Sequence, residues 1–99
     1  MINGVYQIVM NTMMGRKWGL LTLYEKDHIL SGYIDILGCS NEITGEIRID
    51  GSCRFSGKFI TPARDVEFWA EGRADEKTAD FLIHTDRNIL HLLGEPVPV

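Results

Sequence analysis

The 99-residue sequence predicts an all-β fold, an eight-stranded antiparallel up-and-down barrel. Two observations carry this. Glycine recurs at Gly19, Gly32, Gly45, Gly57 and Gly72, in steps of 13, 13, 12 and 15 residues. Each step is about one strand plus one tight turn. Glycine weakens a strand interior unless the backbone bends sharply there or another group comes close. A glycine on strand after strand therefore suggests a sheet that coils until it closes. The second observation is strict alternation of apolar and polar residues, with no stretch of 3.6-residue periodicity.

The first two strands are Gly4 to Thr12 and Arg16 to Glu25, on either side of Met13-Met14-Gly15. On the second, Trp18, Leu20, Thr22 and Tyr24 are read as facing inward, which turns Leu21 and Leu23 outward. The third strand, His28 to Gly38, puts Leu30, Gly32, Ile34 and Ile36 inside and Tyr33 and Leu37 outside. The fourth, Glu42 to Asp50, alternates most strictly: Ile43, Gly45, Ile47 and Ile49 against Glu42, Thr44, Glu46, Arg48 and Asp50. Ser52 to Thr61 repeats the pattern with Cys53, Phe55, Gly57 and Phe59 inside. In Arg64 to Ala74 the inward set is Val66, Phe68, Ala70 and Gly72. In Thr78 to Thr85 it is Ala79, Phe81 and Ile83. A short strand over Asn88 to Leu93 completes eight. Residues 1–94 form one barrel domain, and residues 95–99 are an extended tail, because Pro96 and Pro98 forbid a helix.

The turns follow from composition. Gly38-Cys39-Ser40-Asn41 suits a tight hairpin that sets Ile36 opposite Ile43, Ile34 opposite Gly45 and Gly32 opposite Ile47. Asp50-Gly51-Ser52 is a turn because glycine supplies positive φ. A three-residue turn at Lys26 to His28 pairs Leu21 with Tyr33. Closure into a barrel also removes exposed sheet edges.

Ten basic residues are scattered among fourteen acidic ones, for a net charge of −4. Nucleic acid needs clustered Lys and Arg, so neither nucleic acid nor an anionic membrane is expected as a partner. No apolar run approaches a membrane span. The opening Met1-Ile2-Asn3-Gly4 lacks a basic segment followed by a long apolar one, so a cytoplasmic location is expected. Two cysteines, Cys39 and Cys53, are too few for a disulfide scaffold and match no zinc spacing.

No metal or cofactor is expected. His28, His84 and His91 have no ligand spacing. Glu42, Glu46, Asp50, Asp65, Glu67 and Glu71 fall mostly on outward phases, where solvated carboxylates lack the separated pKa values of an acid–base pair. Cys53 lies among apolar residues, where a thiol stays protonated. No serine sits in a nucleophile elbow and no glycine loop precedes a helix. The chain does not read as an enzyme.

An eight-stranded barrel is just wide enough to be filled by side chains or to hold one small ligand. Its expected lining includes Tyr24, Ile34, Ile47, Phe55, Phe59, Phe68 and Phe81. On the outside, Leu21, Leu23, Tyr33 and Leu37 form a candidate interface, because contiguous exposed apolar residues mark partner surfaces. Trp69, Ile60 and Leu82 are also outward by alternation.

The segments Val5-Tyr6-Gln7-Ile8, Thr12-Met13-Met14-Gly15, Gly19-x-Leu21-Thr22-Leu23 and Leu30-Ser31-Gly32 resemble small bacterial proteins of calycin type, relatives in shape of lipocalins and avidins. Asn3-Gly4-Val5-Tyr6 also resembles a lipocalin-like bacterial repressor of type III secretion, which acts by binding another protein. The resemblance implies a barrel, and for the second group a protein partner. Two readings follow: a non-enzymatic interaction or regulatory module, self-associating or bound to another protein, and an intracellular carrier of a small apolar ligand.

Overall fold

A computed structural model describes residues 3–98. It is an all-β chain of eight antiparallel strands closed in sequence order, β1 to β8, with β8 returning to β1. The strands are β1 (Asn3–Thr12), β2 (Gly15–Lys26), β3 (Ile29–Ile36), β4 (Cys39–Ile47), β5 (Cys53–Ile60), β6 (Asp65–Ala74), β7 (Ala79–His84) and β8 (Ile89–Pro96). Met1, Ile2 and Val99 lie outside the described residues.

One apolar core fills the barrel. Phe55, Phe59, Phe68 and Phe81 interlock there, with Phe55 edge-on to Phe81 at 5.0 Å and Phe59 stacked on Phe68 at 4.3 Å between ring centroids. Ile34 is fully buried beside them, and Ile47 packs half-buried against the same cluster. The coil that closes so narrow a barrel depends on bare backbone. A Cβ on Gly45 would overlap the carbonyl oxygen of Arg54, and one on Gly32 would overlap that of Thr22.

The interior side of β2 corrects the sequence reading. The turn before β3 has two residues, Asp27 and His28, both at positive φ (52° and 66°), the backbone that a tight hairpin requires. Leu21 therefore pairs with Ile34 and not with Tyr33. A slip of one residue exchanges the two faces of a strand. Leu21 and Leu23 are consequently in the core, each 0% exposed, and not at an interface. Tyr24 is 49% and Trp18 62% exposed, outside the barrel with Leu20.

Three smaller corrections follow, the first two from the position of a turn. The β3–β4 turn is Leu37-Gly38, with φ of 57° and 78°. It pairs Ile36 with Cys39, Gly32 with Ile43 and Leu30 with Gly45. The register differs by four residues, an even number, so the faces stay as read. Strand β4 ends at Ile47, which leaves Ile49 in the next turn and wholly exposed. Strand β8 runs to Pro96, past the expected start of the tail, and the Val97 N–H donates to the Val5 carbonyl at 2.9 Å. Pro96 ends the strand, where its missing N–H matters least.

Candidate functional site: the outer wall

Among the described residues, the middle of the barrel is filled by side chains. Ile8, Leu21, Leu23, Leu30, Ile34, Phe81, Ile83 and Leu92 have no water-accessible surface, and a water-sized void touching any of them would have given it some. At one mouth an open cleft of about 510 Å³ is lined by Tyr6, Glu25, His28, Arg48 and Asp75, among others. It stops at Tyr6, whose hydroxyl donates to the Asp75 carbonyl at 2.8 Å. Burial, then the negative charge of Asp75, holds the Tyr6 hydroxyl above its ordinary pKa. Burial also raises the Cys53 thiol, so Cys53 stays protonated and unreactive.

Two histidines outside the barrel stand beside carboxylates. His91 Nε2 is 2.7 Å from Asp80 Oδ1. His84 Nε2 is 2.8 Å from Glu71 Oε2, at ion-pair distance but without the alignment of a hydrogen bond. Among the described residues, no three His, Cys, Asp or Glu side chains converge to hold a metal.

The register decides what the outer wall presents. Across β4 to β7 it sets charge against opposite charge: Glu46 beside Arg54, Arg54 beside Glu71, Lys58 beside Glu67, Arg73 beside Asp80. Such cross-strand pairs stabilise a solvated face. Trp69, in the middle, is covered by its neighbours. The Arg54 guanidinium lies 4.3 Å over its ring, and the His84 imidazole stacks on it at 3.8 Å with 3° between planes.

Across β8, β1, β2 and β3 two rows are mostly apolar, while the row between them runs Glu95, Gln7, Leu20 and Asp35. Val9 lies between Leu93 and Trp18, and Thr22 between Val5 and Tyr33. Leu20 stands two residues from Trp18 on the same face. Trp18, Leu20, Tyr33 and Leu93 are all exposed, and among the described residues no cation–π contact or ring stack covers Trp18. An open cleft of about 430 Å³ borders Trp18, Leu20, Ile36 and Leu37, where the β2–β3 ladder stops at Leu20–Asp35.

Of the four residues expected at an interface, Tyr33 and Leu37 are exposed on this side of the barrel, while Leu21 and Leu23 lie beneath it. Trp18 and Leu20 take their place. The signal for them was Gly19: glycines on the next strands face inward, and Gly19 has the parity of Leu21 and Leu23. No protein-family model matches the chain, and no curated protein or solved structure is significantly similar to it.

Proposed function

We propose that the protein is a non-enzymatic protein-interaction module, and that it works through the outer wall of β8, β1, β2 and β3. The observation that carries this is the uncovered row Leu93–Val9–Trp18, continued by Leu20 and Tyr33. Single exposed apolar residues are ordinary, but a contiguous group rich in aromatics marks a contact surface. The closed up-and-down strand order supports the likeness to calycin-type barrels. The filled core weighs against the alternative, a carrier of a small apolar ligand, because a ligand site needs a cavity with a few convergent polar groups.

A photo-crosslinking residue placed at position 18 or at position 58, in living cells, tests the reading. Discrete protein adducts are expected from position 18 and none from position 58, which lies on the charged wall. The absence of adducts from position 18, or the same adducts from both positions, contradicts it.

A further inference from the structure

We propose that Met13 and Met14, at the tip of the β1–β2 hairpin, are a site of reversible oxidation by hydroperoxides, and that the barrel carries their sulfoxides without loss of stability. The proposal stands apart from the interaction reading and from the wall that carries it.

Exposure separates the methionines of this chain into two kinds. Met13 is 89% and Met14 84% exposed, whereas Met10, on β1, is 2% exposed within the core. Methionine is among the residues most often buried, so two neighbours displayed together at an apex are unusual. A thioether in the core meets a dissolved oxidant only when the structure opens. One at the tip meets it at every collision. The turn holds the pair out without using their side chains. Thr12 Oγ1 accepts from the Met14 N–H at 3.1 Å and donates to the Gly15 carbonyl at 2.7 Å. Gly15 takes the positive φ, 99°, as the residue after a type I turn does at a hairpin bulge. Neither Met13 nor Met14 belongs to the core cluster, which includes Met10.

The chemistry follows from that placement. A thioether lone pair attacks one oxygen of the hydroperoxide, and the S–O bond forms as the O–O bond breaks. The departing oxygen takes up a proton and leaves as water or an alcohol. Sulfur gives up two electrons and the peroxide accepts them. The product is a polar sulfoxide, which disrupts an apolar core but at this tip faces water. A dithiol reductase reverses the step, removing the oxygen as water while its two thiols close into a disulfide. The exposure that admits the oxidant also admits that enzyme. The fold thus seals the methionine it packs and leaves outside the two it does not.

Peptide mapping by mass spectrometry, on the folded full chain after timed exposure to hydrogen peroxide, tests the proposal. Met13 and Met14 should each gain one oxygen at a rate within about threefold of N-acetylmethionine amide, and Met10 at least about tenfold more slowly. Methionine sulfoxide reductases A and B with dithiothreitol should then restore both tip residues. The Met13→Gln, Met14→Gln double variant, polar at the tip like the sulfoxides, should melt at the wild-type temperature. Met10 reacting as fast as the tip, or the tip as slowly as Met10, overturns the proposal. Sulfoxides that the reductases leave in place overturn its reversibility, and a double variant that melts lower overturns the claim that the barrel tolerates a polar tip.

Discussion

The barrel has two outer walls built on the same inside. Beneath both lie aliphatic and aromatic side chains in one continuous core, and in both a bare glycine lets neighbouring backbones touch, Gly32 under the first and Gly45 under the second. Outside they diverge. On β4 to β7 four cross-strand pairs set opposite charges together, and both Arg54 and His84 contact the Trp69 ring. On β8 to β3 the corresponding positions are Leu93, Val9, Trp18 and Leu20, with no such cover among the described residues. The fold requires only the inside. The proposed function ascribes the difference between the walls to what each meets: water for one, another molecule for the other.

The sharpest way to break this comparison is at two adjacent residues. Leu21→Glu should abolish the fold, because it buries an unpaired charge. Leu20→Glu should change monomer stability by no more than about 0.5 kcal/mol, as surface substitutions do. Thermal melts of the two variants at low concentration measure both. A folded Leu21→Glu would mean that the faces of β2 are reversed.

That pair of residues also shows how much was legible in the sequence. Eight strands, their order and most of the core followed from alternation, because one wet face and one dry face impose a period of two. The phase of β2 did not follow, because both of its faces are apolar: Trp18, Leu20 and Tyr24 outside, Leu21 and Leu23 inside. Alternation carries phase only where one face is polar. The apolar outer face that makes this strand a candidate contact surface is thus the same feature that hid its register. On β4, with Glu42, Thr44 and Glu46 outside, the phase was plain. There the turn was misplaced instead, since Leu37, a bulky residue at positive φ, gives no local turn signal.

If the two walls share an inside, closing the backbone approach should damage them alike. Gly32→Val and Gly45→Val should each cost about 3 kcal/mol or more, the upper end of overpacking penalties, because the obstructing atoms are backbone carbonyls that cannot rotate away. Denaturant midpoints compare them. A large loss at one position and none at the other would show that only one half of the barrel is tightly coiled.

The tryptophans should differ in kind. Trp69→Ala should cost about 1 to 2 kcal/mol of stability, from the Arg54 contact, the His84 stack and its own half-buried surface. Trp18→Ala should leave the dilute monomer nearly as stable as the wild type. Equal losses would mean that Trp18 is covered within the monomer.

The smallest expected effect is on pH dependence, and it belongs to the charged side. Asp50, Asp75 and Asp86 all sit below their ordinary pKa of 3.8. Asp50 is held there chiefly by the Ser52 hydroxyl, Asp75 by the N–H groups of Lys77 and Thr78, and Asp86 by Arg64. A carboxylate depressed in the folded state contributes stability above its unfolded pKa and loses it as pH falls through its folded one. Stability should therefore decline below about pH 4. Asp75→Asn should flatten that decline, as read from melts between pH 6 and pH 2.5. At the other limit Tyr6 and Cys53, both raised, contribute stability that is lost as pH rises past their unfolded values of 10.0 and 9.0. Tyr6→Phe should flatten the alkaline decline. An unaltered profile in either variant would remove that group from the account.

Oxidative labelling of the wild-type side chains, residue by residue, in dilute purified protein and in living cells, tests most directly whether one wall is a contact surface. Trp18, Leu20, Tyr33 and Leu93 should lose labelling together in cells, while Trp69, Ile60 and Leu82 keep theirs. Labelling that is the same in both settings, or protection that falls on the charged wall instead, would contradict the account.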